Sequence, residues 1–221
     1  MGVTVDRPGR FPAILAAMAD RRAGAPAPPT TSTFDAAAWR DAPFSGTRHD
    51  AVLFAGTDLS DQTVRGASFT DCTFRDVRFN ASTHVDSAFT NCTFAGCTFF
   101  DTRFTRCKLV GSVFDRCTYD LLVVEAGDWS LVQLPGADLR KATFTGVRLR
   151  EADLTGARFD GATVRDVDLS GTWLHRSSFI GADLRGSDLS SLDPLNVDVH
   201  DARIDIEQAV VIAEAIGLKV G

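Results

Sequence analysis

From Phe34 to Ile204 every fifth residue is large and apolar, and this period restricts the fold more than any other feature of the chain. Of the 35 positions in the series, 32 are apolar, where a hydrophobic content of 44% would give about 15; only His49, His84 and Pro194 depart from it. The run Phe69, Phe74, Phe79, His84, Phe89, Phe94, Phe99, Phe104 shows it most plainly. Two residues before each centre the side chain is small, as at Ala67, Cys72, Ser87, Cys92, Cys97, Ala152 and Ala182, with Gln62, Leu122 and Leu192 as bulky exceptions. A step of five advances roughly 140° around an α-helix and would smear these residues over every side, so no helix can bury them. In one straight strand an odd step would alternate the centres between two faces. The chain must therefore turn within each repeat. The small and the large residue, two apart, both point inward from a short extended piece, and the other three form the outer wall and corner. Repetition of that unit makes a solenoid.

Composition narrows the function. Lys and Arg total 23 against 29 Asp and Glu, a net charge of −6, which disfavours a surface that neutralises nucleic-acid phosphates. No apolar run approaches the ~18 residues of a membrane span, and the short apolar N-terminal stretch is broken by Asp20, Arg21 and Arg22, so neither membrane insertion nor secretion is expected. All five cysteines, Cys72, Cys92, Cys97, Cys107 and Cys117, fall at the small inward position, which marks them as reduced core residues of a cytoplasmic protein rather than zinc ligands or disulfides. His49 and His84 occupy large inward positions and are expected to find local partners in the core, while His175 and His200 face outward. Catalysis needs a nucleophile, a base and an orienting group converging in a pocket, and a filled core with regular walls offers none; an enzyme is not expected, nor a cofactor or metal.

Both ends depart from the rod, and the chain divides into an N-terminal extension (1–31), the repeat region (32–204) and a C-terminal helix (205–221). A solenoid exposes an apolar disc and unpaired backbone at each terminus. From Asp205 the pattern turns helical, with Asp205 as N-cap, Gln208 closing a capping box and Gly217 just beyond the end. Ile206, Val210, Ile212, Ala213, Ile216 and Leu218 wrap too far around this helix for one contact, which predicts a helix that covers its own last coil and pairs with a second copy in a two-fold dimer. At the other end Phe11, Ile14, Leu15 and Met18 have the spacing of a short amphipathic helix, followed by a Pro-rich extended linker, Ala23 to Pro29. Charge gathers at the C-terminus: residues 1–120 carry 13 positive and 13 negative groups, 121–185 carry 8 and 9, and 186–221 carry 2 and 7. Asp188, Asp193, Asp198, Asp201 and Asp205 belong to that last part and call for a basic partner.

Ala137-Asp138-Leu139-Arg140-Lys141, Glu151-Ala152-Asp153-Leu154-Thr155-Gly156 and Gly181-Ala182-Asp183-Leu184-Arg185-Gly186 resemble the A(D/N)LXX units of the pentapeptide-repeat family. The resemblance implies an all-β fold, a right-handed quadrilateral parallel β-helix with four pentapeptides to a coil. On that basis the region makes about nine coils and residues twenty apart stack, so that Phe74, Phe94 and Phe114 share a column and Asp168 lies one coil from Asp188. Leu122 is bulky where a small residue belongs, and the coil between Leu121 and Gln133 is expected to bulge without losing register. Within the family, Leu109-Val110-Gly111-Ser112-Val113-Phe114, Val147-Arg148-Leu149-Arg150-Glu151 and Ala202-Arg203-Ile204-Asp205-Ile206-Glu207-Gln208 are similar to the mycobacterial fluoroquinolone-resistance branch, MfpA-like and Qnr-related. That similarity implies a dimeric, DNA-shaped rod that binds DNA gyrase, or topoisomerase IV, in place of duplex DNA, with Asp168, Asp188, Asp193, Asp198, Asp201 and Asp205 as its acidic contacts. A pentapeptide-repeat scaffold for another basic protein is the competing reading.

Overall fold

The path of the chain is set at its corners. In the computed structural model, which describes residues 28–34 and 44–221, the residue two places after a large centre takes a left-handed backbone at nearly every corner, as at Asp71 (φ 53°), Asn91 (φ 53°), Leu131 (φ 63°) and Glu151 (φ 54°). This conformation costs most side chains about 1–2 kcal/mol and is tolerated best by Gly, Asn and Asp, which explains why Asp61, Asp76, Asp86, Asp101 and Asp166 also stand at corners. About a quarter of the protein's acidic residues thus stand at left-handed corners.

Four such corners close one coil, and the register between coils is twenty residues throughout: Phe54 lies beside Phe74, Phe74 beside Phe94 and Phe94 beside Phe114 in parallel pairing. The molecule is a parallel β-solenoid with four walls. The wall through Phe104 holds a six-stranded sheet, Thr63–Arg65, Thr83–Val85, Arg103–Thr105, Val123–Glu125, Thr143–Thr145 and Thr163–Arg165. The wall through Phe74 holds five strands and the wall through Phe89 three, while the wall through Phe79 is joined by single bridges alone, such as Asp58 to Arg78 and Arg78 to Thr98. About nine coils are expected from the sequence, but regular strands cover only the six turns of the longest sheet. Bridges from Thr163 to Asp183 and from Asp183 to Arg203 carry that wall further at the same step. Beyond Thr163–Arg165 tight turns flank every bridging residue and leave no room for a three-residue strand.

Inside, the aromatic columns pack by two rules. Along the axis rings stack nearly parallel: Phe54 on Phe74 at 4.8 Å and 9°, Phe74 on Phe94 at 4.9 Å and 8°, Phe94 on Phe114 at 4.7 Å and 11°. Around the axis they meet edge to face, as Phe69 and Phe74 do at 5.5 Å and 69°. Both are favoured arrangements of the ring quadrupole, and each fully buried ring contributes roughly 1.5–3 kcal/mol through removal from water.

The small column is polar in much of the rod, and it has a fixed use. Cys92 Sγ donates to Phe69 O at 3.4 Å, Cys97 Sγ to Phe74 O at 3.4 Å and Cys107 Sγ to His84 O at 3.3 Å, each reaching back 23 residues to the coil before. Thr102, Ser112 and Ser187 hydroxyls make the same bond at 2.8 Å. All five cysteines are free, and burial pushes the Cys107 thiol up to about 11. The inward histidines also have local partners. Thr47 Oγ1 donates to Phe44 O and lies 3.0 Å from His49 Nε2; Ser82 Oγ donates to Phe79 O and lies 3.0 Å from His84 Nε2. With each hydroxyl proton already given to a carbonyl, the imidazole Nε2–H is the donor and Nδ1 carries no proton; the buried Nδ1 of His84 has no hydrogen-bond partner. Two Ser/Thr-x-His units thereby replace small-x-large, and His84 stacks on Phe104 at 4.9 Å.

The expected irregularity is present but displaced. Leu122 is buried and its neighbour Val123 pairs in register with Arg103, so bulk at the small position is absorbed. The distortion falls at Ala126 (φ 57°) and Gly127 (φ 95°), two left-handed residues in succession. Gly127 has to be glycine: a Cβ there would stand 2.2 Å from Cys107 O. This close approach precedes Trp129, the bulkiest fully buried side chain of the core. Of the other bulky residues at the small position, Leu192 is buried and Gln62 is exposed.

The C-terminal helix spans Ile206–Ala215, with Asp205 at its N-cap and the reciprocal Asp205–Gln208 capping box formed. Gln208 also closes the solenoid: its buried Nε2 donates to Leu184 O and Ser187 O, both at 2.7 Å, and Ile212 packs on the core edge. The amphipathic spacing at Phe11 to Met18 and the linker before Pro28 lie outside the described residues.

Candidate protein-binding surface

The acidic residues of the last coils are held by one local device. In each, the residue before an inward centre turns its carboxylate back onto the backbone N–H two places on: Asp168 to Ser170 (3.1 Å), Asp188 to Ser190 (2.9 Å), Asp193 to Leu195 (3.0 Å) and Asp198 to His200 (3.1 Å). These bonds fix one carboxylate oxygen of each against the backbone; the other oxygen accepts from Asn196 Nδ2 in Asp193 and faces Arg150 in Asp168. The backbone N–H of Leu195 holds Asp193 below the usual carboxylate range, and that of His200, with the imidazole at 3.1 Å, does the same for Asp198.

Their placement is a ring rather than a line. Asp168 and Asp188 bridge on consecutive rungs of the wall that runs through Phe89. Asp193 follows on the next wall and Asp198 on the one after, bridged to Ser178, with Asp201 at the left-handed corner (φ 57°) beyond. The group therefore encircles the last coil. Asp205 differs from the rest: its carboxylate accepts from Gln208 N at 3.0 Å and Gly186 N at 2.9 Å, which lower its pKa and commit it to joining helix and coil. Arg150 lies 3.7 Å from Asp168, and Arg148 3.4 Å from Asp128 one coil earlier on the same wall, so the acidic character begins only at Asp188.

Next to the ring the structure exposes apolar surface. On the helix and tail Ile206 is 83% exposed, and Ile216 and Leu218 are exposed as well, while Val210, Ile212 and Ala213 are half-buried, Ile212 against the core. The residues read from the sequence as a dimer contact thus split into an outer set and an inner set. Two further apolar residues lie outside that list: Leu195, 82% exposed, at the tip of the loop where Pro194 breaks the repeat, and Trp173, 52% exposed, one rung earlier on the same wall. Both occupy outward register positions, which was the available signal for them. Leu195, Pro194, Val197, Asp198, His175 and His200 line an open depression of about 660 Å³. A second depression, about 580 Å³, lies on the wall through Phe79, where Lys141 meets Asp120 at 3.4 Å and Arg140 meets Asp138 at 2.6 Å. Among the described residues there is no cluster of three His, Cys, Asp or Glu able to hold a metal ion. No helix among them is long and apolar enough to cross a membrane.

Comparison with known families gives the repeat its name: a family model described as Pentapeptide repeats matches residues 133–171 and 164–193, in eight copies. Residues 133–193 of the chain are thus similar to pentapeptide repeats. Over residues 43–119 the chain matches a model of the SV2A/B/C luminal domain. No curated protein matches the chain. Among solved structures, HetL, a pentapeptide-repeat protein involved in heterocyst differentiation regulation from the cyanobacterium Nostoc sp. strain PCC 7120, is 15% identical with a TM-score of 0.50; the match covers 76% of this chain and 90% of HetL. QnrB1, a plasmid-mediated fluoroquinolone resistance protein, is 19% identical with a TM-score of 0.48, over 87% of this chain and 97% of the other. A pentapeptide-repeat protein of the Arabidopsis thaliana thylakoid lumen is 21% identical over 82% and 81%, with a TM-score of 0.25. At 15% identity the likeness to HetL is one of fold.

Proposed function

We propose that this protein is a non-catalytic mimic of duplex DNA that binds DNA gyrase, with topoisomerase IV as the second candidate, and modulates or protects it against quinolone-type or natural-product inhibitors. The observation that carries the reading is the placement of charge: residues 186–221 hold seven acidic and two basic groups, and Asp188, Asp193, Asp198 and Asp201 surround the last coil beside an exposed apolar helix. Pairing of two copies through Ile206, Val210, Ile212, Ala213, Ile216 and Leu218 would place two such rings back to back at the middle of a longer rod. The positively charged DNA path of a type II topoisomerase is a surface of the complementary sign. Binding of this kind requires no covalent step and weakens as salt rises, because exposed charges are screened beyond ~8–10 Å.

A supercoiling assay with and without a gyrase poison tests the proposal. The protein should inhibit supercoiling or reduce poison-induced cleavage, and the triple variant Asp188→Asn, Asp198→Asn, Asp201→Asn should lose at least ten-fold in potency with the fold intact. No effect at saturating protein would end it. The competing reading, a scaffold for a different basic protein, is favoured by one observation: Arg150 beside Asp168 and Arg148 beside Asp128 interrupt the acidic column that a long phosphate-like track would need.

A further inference from the structure

Outward positions of a solenoid wall face water, and three polar residues break that rule. Thr73, Gln133 and Asp153 each precede an inward centre, yet they are only 4%, 4% and 8% exposed; they are the sole buried polar residues at outward positions among those described. All three lie on one wall, the wall through Phe74. This is also the wall on which the chain enters the solenoid, since Ser32–Thr33 forms its first rung against Val52 and Leu53.

We propose that this wall, with Asp115, Asp153 and Asp193 along it, is the docking surface for the chain's own N-terminal segment, residues 1–27. The inference stands apart from the proposed function. Three considerations select that occupant. The first is reach: six rungs from Thr33 to Asp153 span ~29 Å at ~4.8 Å each. A seven-residue Pro-rich linker extends ~22 Å, and the twenty-two residues before it need to supply only ~7 Å more, so the segment covers the distance. The second is charge: the segment carries Arg7, Arg10, Arg21 and Arg22 against Asp6 and Asp20, and the wall carries Asp153 and Asp193 against Arg75, with Asp115 paired to Arg116 at 3.0 Å. The third is apolar match, because Phe11, Ile14, Leu15 and Met18 recur at amphipathic spacing in the sequence and Leu53, Val113 and Trp173 stand at outward register positions on this wall. Docking in cis is also favoured by the high effective concentration of a tethered segment. A basic segment seated on an acidic wall shields that wall from basic partners.

Carboxyl footprinting of the full-length chain, read by mass spectrometry, tests the proposal. The labelling rate of Asp153 is taken as a ratio to that of Asp128 on the neighbouring wall. The variant Arg7→Glu, Arg10→Glu, Arg21→Glu, Arg22→Glu should raise the ratio about five-fold, and Leu15→Asp should raise it similarly. In the wild-type chain the ratio should rise with sodium chloride, which needs no variant to fold. An unchanged ratio in both variants and a flat salt response would overturn the proposal. So would a ratio that rises only in Trp173→Ala, since the indole alone would then be the cover, or protection that fades on dilution, since a second copy would then be the occupant.

Discussion

The two halves of the rod trace one backbone path with different side chains. Between Phe54 and Tyr119 the large positions are mostly Phe and the small ones Cys, Ser or Thr; between Leu134 and Leu189 they are mostly Leu and Ala. The first half forms three-residue strands on three walls, and the second is joined mainly by single bridges between tight turns. Family models divide at the same place, with Pentapeptide repeats matching from residue 133 and the SV2A/B/C luminal domain ending at 119. The twenty-residue register nevertheless runs unbroken across the junction, from Val113 to Gln133 and from Gln133 to Asp153. Alternation of size, together with a left-handed residue at each corner, is therefore sufficient to define the coil; residue identity decides only how much of each wall becomes regular strand.

The junction itself offers the strongest way to break this equivalence. Gly127→Ala places a Cβ against Cys107 O and should lower stability by about 3 kcal/mol or more, whereas Gly136→Ala, which meets nothing within 4 Å, should cost about 1 kcal/mol; urea unfolding of the two variants compares them directly. Exchange of vocabularies comes next. Phe94→Leu removes ring stacking on both sides and Leu154→Phe overpacks a Leu column, and each should cost roughly 1–3 kcal/mol; a costless exchange would mean that the columns do not discriminate.

A smaller effect depends on acid. Burial holds the His84 imidazole down to about 3, against about 6.5 in the unfolded chain, so folding favours the neutral ring. The stability this provides is complete above pH ~7 and is lost as pH falls from ~6.5 towards ~3, by about 1 kcal/mol between pH 7.5 and 5.5. His84→Phe should flatten that part of the stability-pH curve in chemical denaturation, and a curve identical to wild type would show that His84 does not contribute. Smallest of all, Asp58→Asn in the first half and Asp183→Asn in the second each remove a surface pairing, with Arg78 and with Arg185, and each should shift the thermal midpoint little, Asp183→Asn slightly the more because its carboxylate is half-buried.

Much of this was legible in the chain. The period of five marks which residues turn inward, and with them all five cysteines and both inward histidines. The helix at Ile206 was marked by Asp205, Gln208 and Gly217. Other features were hidden for physical reasons. Leu122 drew attention by its bulk, yet the backbone yields at Gly127, because the tight contact is with Cys107 one coil away and only the three-dimensional register reveals it. The acidic residues read as a local concentration in sequence become a ring because each pentapeptide advances one wall. Asp205 looks like its acidic neighbours in sequence, and only its bonds to Gln208 and Gly186 show that it is committed to capping. Burial of Gln133 and Asp153 contradicts their outward register and could not be foreseen from periodicity.

The register of twenty constrains how such a molecule can change in length. Insertion or removal of a single five-residue unit would keep every apolar side chain inside, yet would swing everything beyond it through a quarter-turn about the axis. The terminal helix and its acidic surroundings would then point a different way relative to the entry wall. Only steps of four units leave all walls in phase, each moving the two ends apart or together by one rung, about 4.8 Å. Natural length variants that preserve the geometry of both ends should therefore differ by whole coils, which makes the rod a ruler graduated in single rungs.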